Sequence, residues 1–183
     1  IYEEYKTTRI KKTDFDSGIF ILFKNYIINN NYYYCECDNL EGDDIVYLVQ
    51  KRIKNEFSGY KIIILTNDND YLQMKQSHIE IYNIQGKGTD LCTRSKGDPI
   101  IDLYMKICIG DNSDNIPPIC TKLGAITAEK LARMTDDERN EWIDKKGIEC
   151  RTQFELNKRL ISFTEIPSEL IDNVYTKYKF IYQ

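Results

Sequence analysis

Apolar side chains recur at three- and four-residue spacings over 14–29, at Phe15, Ile19, Leu22, Phe23, Tyr26 and Ile27, which predicts an amphipathic helix despite its β-branched residues. A short strand is expected over 32–37. Past an acidic stretch at 38–44, Ile45, Leu48, Val49, Ile53 and Phe57 repeat the helical period and predict a second helix, closed by Ser58-Gly59. Ile62-Ile63-Ile64-Leu65 is an unbroken apolar run between polar neighbours, the pattern of a parallel strand buried on both faces. A further strand is predicted over 79–84. Helical spacing returns at Ile100, Ile101, Leu103, Tyr104, Ile107 and Cys108, then stops at Gly110 and again at Pro117-Pro118. Beyond Thr127 only helices are expected, over 128–134, 136–145, 152–163 and 167–178.

Helices alternating with strands, then helices alone, predict an α/β fold in which helices wrap a central, mostly parallel sheet and a helical region follows. The 183 residues suffice for one well-cored unit. Its expected division is a core over 1–98 continuous with a helical region over 99–183. No run approaches the roughly 18 unbroken apolar residues of a membrane span, so no membrane partner is expected. Lys+Arg of 25 against Asp+Glu of 29 gives a net charge of -4, so any nucleic-acid partner must be held by local patches.

Of six cysteines the one close pair, Cys35-x-Cys37, lacks zinc-knuckle spacing, and His78 is the one histidine. Buried, reduced thiols in an intracellular, cytoplasmic setting are expected. A histidine-activated serine or cysteine nucleophile is not indicated. The chain opens on Ile1 inside a basic stretch and reads as an internal fragment of a monomeric protein.

Three acidic clusters fall at predicted element ends: Glu41-Gly42-Asp43-Asp44 before the second helix, Asp68-Asn69-Asp70 after the apolar strand, and Asp111-Asn112-Ser113-Asp114 after the helix that stops at Gly110. Taken singly, each also suits a helix cap or an Asx turn. Helix-loop-helix calcium sites are excluded, because their glycine and glutamate positions hold Gln73 and Ile79 counted from Asp68, and Ile116 and Lys122 counted from Asp111. If the clusters converge, their crowded charge calls for divalent cations. All-oxygen ligation suits Mg²⁺ or Mn²⁺, and two such ions about 4 Å apart can activate water and steady the leaving oxygen of a phosphodiester. The basic stretch Lys6, Arg9, Lys11 and Lys12 is either a solvated helix face or a phosphate contact.

Four motifs in this order resemble those of the flap endonuclease and 5′-3′ exonuclease family, phage-type members in particular. Tyr5-Lys6-Thr7-Thr8-Arg9 is similar to its Tyr-Lys-x-x-Arg and Glu41-Gly42-Asp43-Asp44 to its Glu-Ala-Asp-Asp. Thr66-Asn67-Asp68-Asn69-Asp70 is similar to its Ser-x-Asp-x-Asp, and 110–117 to its Gly-Asp-x-x-Asp-Asn-Ile-Pro. The stretch 156–161 with Ile166-Pro167 is similar to the C-terminal helices of phage members.

The resemblance implies a PIN-like, 5′-nuclease core that trims 5′ flaps, 5′ ends or RNA primers from branched duplex DNA in replication or repair, with a polymerase or sliding clamp as partner. Carried over by position, Glu41, Asp43 and Asp44 serve one metal site and Asp68, Asp70, Asp111 and Asp114 the other, while Lys6 and Arg9 engage the scissile phosphate. It also implies a helix-turn-helix variant over 110–133 that grips the duplex around a monovalent cation, with Lys122, Gly124, Thr127 and Lys130 at the DNA. Two departures stand out. Family members begin earlier, with strands that provide two further aspartates, and the gripping loop's Gly-x-Gly-x-Lys-Thr-Ala is here 122–128, with Lys122 in a glycine's place and the lysine lost. A side chain at that first glycine strains a tight turn. The missing aspartates leave a catalytically incomplete DNA-binding fragment as one alternative, and an RNA-cutting nuclease with a similar acidic centre as another.

Overall fold

The computed structural model describes residues 3–7, 14–57, 59–88 and 95–178. Three of the expected phosphate-contacting cations, Arg9, Lys11 and Lys12, lie outside the described residues. The order of elements is α1 (Asp14–Asn29), α2 (Gly42–Glu56), β1 (Ile62–Leu65), a 3-10 helix Asn69–Met74, β2 (Ile79–Tyr82), α3 (Pro99–Ile109), a 3-10 turn Asn112–Asp114, α4 (Ala125–Ala132), α5 (Asp136–Lys146), α6 (Ile148–Ile161) and, after a 3-10 turn Phe163–Glu165, α7 (Ser168–Lys177). No described helix is long and apolar enough to cross a membrane.

The sheet pairs β1 with β2 in parallel, Ile62 opposite Ile79 and Leu65 opposite Tyr82. On one face Ile64, Ile79 and Ile81 pack with Met74 and Phe163, with Val46 and Tyr47 of α2 closing the cluster. On the other, Ile63 and Leu65 are 61% and 70% exposed. Among the described residues β1 is therefore covered on one face, against the expectation of burial on both. An unbroken apolar run records hydrophobicity but not which layers are present to cover it.

Two further expectations change. Segment 32–37 forms no strand, because its backbone is met by α7: Lys177 Nζ donates to the Glu36 carbonyl at 2.9 Å, and Cys35 and Cys37 pack beside Leu48, Val174 and Tyr178. Helix α1 spans the expected residues, yet Ile19, Leu22, Phe23 and Tyr26 are exposed. Five successive apolar residues, Ile19 to Phe23, encircle a helix instead of forming one stripe, so no single contact face can bury them.

The C-terminal helices share the main core of Ile107, Cys108, Ile119, Leu131, Ile143, Phe154 and Ile161. Gly147, at φ 105°, separates α5 from α6, and α6 starts directly after it, earlier than the expected 152. Asn157 of α6 is fully buried and donates to the carbonyls of Ile107 at 2.9 Å and Pro117 at 2.8 Å. Its oxygen accepts from Gln153 Nε2 at 2.8 Å, so the buried amide is satisfied while tying the end of α3 to the far side of the loop at 110–117. Buried Arg139 donates to the carbonyls of Leu131 and Met134 and lies 3.5 Å over the Tyr104 ring. Of the thiols expected to be buried and reduced, Cys108 is free and buried, Cys35 and Cys37 are free but half-buried, Cys92 lies outside the described residues, and Cys120 is bonded to Cys150 with Cα atoms 5.5 Å apart. Sequence spacing gives no sign of that pair, since the packing of the α3–α4 loop on α6 creates it.

Candidate metal centre

Each acidic cluster is shaped by backbone capping. At the start of α2 the Glu41 N–H donates to Asp44 Oδ2 at 3.0 Å, after β1 the Asp70 N–H donates to Asp68 Oδ1 at 2.9 Å, and after α3 the Ser113 N–H donates to Asp111 Oδ1 at 2.9 Å. The capping reading of these acids is thus correct, and each of these caps uses one oxygen of its carboxylate.

Gly110 sets the third cluster. Its φ is 77°, and a Cβ there would lie 2.3 Å from the Ile116 carbonyl oxygen, so only glycine fits. The loop closes on itself through Asp111 N–H to Ile116 O at 2.9 Å and Ile116 N–H to Asp111 O at 2.8 Å. Asn115, left-handed at φ 60°, donates from Nδ2 to the Glu4 carbonyl at 3.0 Å, while the Lys6 N–H donates to the Asp114 carbonyl at 2.9 Å. The loop after α3 thereby fixes residues 4–6, and with them Tyr5 Oη donates to Glu41 Oε1 at 2.9 Å and Lys6 pairs with the same carboxylate.

Asp43, Asp68 and Asp70 converge, with one carboxylate oxygen from each lying within 4.8 Å of the others. Glu41, Asp44, Asp111 and Asp114 line the same cleft of about 640 Å³, whereas an adjoining hollow of about 850 Å³ shares Asp68, Asp70, Asp111 and Asp114 with it. Lys106, on the last turn of α3, lies between them: it pairs with Asp70 and sits 2.8 Å from Asp111 Oδ2.

The electrostatics are those of a crowded anionic site. Burial, and then the Asp44 and Glu41 carboxylates, push Asp43 up to about 6. Asp44 rises through burial and Glu41. Burial also raises Asp70 despite Lys106, because Asp68 and Asp111 face it. Asp111 goes the other way, to about 2: burial opposes its ionisation, but Lys106 and the Ser113 hydrogen bonds outweigh it. Tyr71, beside Asp43 and Asp68, is held at about 12, mainly by burial. Hard carboxylate donors and negative charge that two lysines only partly offset fit a divalent cation.

The expected duplex-gripping residues lie apart from these acids. Lys122, in the loop before α4, has φ 63°, a left-handed conformation that glycine adopts more readily than lysine, in keeping with the glycine that the resemblance implies there. Gly124 is the N-cap of α4, Thr127 and Lys130 follow on that helix, and all four residues are exposed. Sequence reasoning missed Lys106 and Asn157. For Lys106 a signal existed, a lone cation in an otherwise apolar helical pattern one turn before Gly110. For Asn157 there was none.

Residues 1–98 match the family model described as 5'-3' exonuclease, N-terminal resolvase-like domain. DNA polymerase I of Bacillus caldotenax is 31% identical over 143 residues, covering 72% of this chain and 16% of that protein. The chain thus spans only a small part of the length of the curated relatives it matches. Among solved structures, the bacteriophage T5 D15 protein co-crystallised with metal ions superposes with a TM-score of 0.68 at 14% identity, over 95% of this chain and 77% of that one. The T5 D15 flap endonuclease in a pseudo-enzyme–product complex with DNA and metal ions gives the same score and identity, over 95% of this chain and 75% of that one.

Proposed function

The chain belongs to the 5′-3′ exonuclease family, and from that premise we propose that it is a structure-specific 5′ nuclease, hydrolysing phosphodiesters of 5′-flap or branched DNA, or of RNA primers, in replication or repair. The observation that carries this reading is the convergence of Asp43, Asp68 and Asp70, three acids from two separate acidic clusters, within 4.8 Å. The two solved structures that hold metal ions share this fold, which supports the reading.

Asp43, Asp68 and Asp70 would hold a first cation, with Asp44 and Glu41 on one side of the cleft and Asp111 and Asp114 on the other for a second. Mg²⁺, with Mn²⁺ able to replace it, would supply Lewis acidity and an activated water at the scissile phosphate. The protein's part is positioning. Caps fix the carboxylates, Gly110 and Asn157 hold the Asp111 loop, and Lys6 and Lys106 temper the negative charge that would repel a phosphodiester. The amides at the start of α4, which lack a side-chain cap, would grip the duplex backbone beside Lys122 and Lys130, with a monovalent cation in the loop.

The test is cleavage of an end-labelled 5′-flap duplex in Mg²⁺ or in EDTA, beside Asp68→Asn. Cutting at the branch that requires metal and is lost in Asp68→Asn is expected. Binding without cutting would overturn the nuclease reading for this chain.

A further inference from the structure

The cleft that holds the carboxylates has a second wall, formed by the end of α6, the 162–167 turn and α7. It presents Leu160, Ile166 and Leu170 and one cation, Arg159. The other described cation lining the cleft, Lys106, is engaged by Asp70 and Asp111, and Lys6 nearby pairs with Glu41. Lys158, next to Arg159, pairs with Glu165 at 3.1 Å. Arg159 is exposed and makes no hydrogen bond or ion pair with a described residue, so its five donors remain available.

A cation in the last turn of α6 also complements that helix's macrodipole, but Lys158 already does so. The cleft holds Glu41, Asp43, Asp44, Asp68, Asp70, Asp111, Asp114 and Glu165 against two basic side chains, Lys106 and Arg159. Away from any bound metal, a polyanion meets uncompensated repulsion there. A planar guanidinium on the facing wall, flanked by apolar side chains, matches a phosphodiester in bidentate fashion.

We infer that Arg159 is a phosphate-binding residue, holding a phosphodiester of the nucleic-acid strand next to the one under attack. This rests on the nuclease reading for its choice of ligand. The test compares wild type, Arg159→Ala, Arg159→Lys and the control Lys145→Ala, a solvent-facing α5 residue outside the cleft. Affinity for a fluorescent 5′-flap duplex is followed by anisotropy in EDTA from about 50 to 200 mM salt, with melting temperature as the check on folding. Arg159→Ala should weaken binding about 3- to 10-fold and reduce the slope of log affinity against log salt by about 0.7–0.9, the loss of one phosphate contact. Arg159→Lys should restore the slope but only part of the affinity, and Lys145→Ala should change neither. In Mg²⁺ the Ala variant should raise KM and leave kcat within about twofold. Unchanged affinity and slope in a folded Arg159→Ala protein would overturn the inference, as would a wild type that binds no DNA. A wild type that binds but does not cut would end the nuclease reading alone, because the binding comparison needs no cleavage.

Discussion

Lys106 Nζ lies 2.8 Å from Asp111 Oδ2 and also pairs with Asp70, so one ammonium joins the carboxylate that follows β1 to the one that follows α3. A protein cation thus stands between acids from two sequence motifs.

Replacing this lysine separates its two effects. Lys106→Met leaves Asp70 and Asp111 without their shared partner and should cost about 1–3 kcal/mol in the metal-free protein. It also removes a competitor for those oxygens, so Mn²⁺ should raise the melting temperature more in the variant than in wild type. Equal Mn²⁺-induced shifts, measured by calorimetry, would show that the ammonium and the metal do not share these acids.

Protonation of Asp43 should compete with metal. With its pKa at about 6, below that pH each unit of acidification should weaken metal binding by up to about tenfold. For the metal-free fold the sign runs oppositely: a carboxyl whose folded pKa lies above its unfolded value favours folding at low pH, and that contribution is lost as pH rises from about 4 to 6. Asp43→Asn should therefore melt about 2–4 °C higher than wild type in EDTA at pH 7.5 and lose most of its metal response. A lower melting temperature would contradict the crowded-charge account. Asp111, held near 2, contributes stability that is present above about 4 and lost as pH falls toward 2.

Gly110→Ala should be among the most damaging single changes. The added carbon meets backbone oxygens of Ile116 and Pro117 at 2.3 and 2.6 Å and sits at φ 77°, so the loop must open. A loss of about 3 kcal/mol or more is expected in urea unfolding, and a loss under about 1 kcal/mol would mean that the loop adapts.

Asn157→Ala removes both donors to the Ile107 and Pro117 carbonyls without touching any acid. It should destabilise by about 2–4 kcal/mol and lower cleavage through misplacement of Asp111. Cleavage unchanged at a temperature where the variant is fully folded would remove Asn157 from the positioning of the site.

Much of this was legible in the sequence because it depends on short-range rules. The α2 and α3 periods, the parallel pairing after an apolar run, and the capping of each acidic cluster follow from spacing and side-chain chemistry. The order of the clusters carried the family. What was not legible depends on partners distant in sequence. Cys120 meets Cys150 and Asn157 meets Pro117 only once α6 packs under the α3–α4 loop. Segment 32–37 has strand-like residues, but α7 takes up its backbone. The exposed Ile63 and Leu65 show the same limit, since a strand's own sequence does not specify the layer that covers it.

Calorimetric titration of Mn²⁺ into metal-free wild type, Asp68→Asn and the distant control Asp144→Asn tests most directly whether Asp43, Asp68 and Asp70 share a divalent cation. Saturable binding that Asp68→Asn weakens by at least about tenfold, and Asp144→Asn leaves unchanged, is the expected result. Identical isotherms for wild type and a folded Asp68→Asn protein would contradict it.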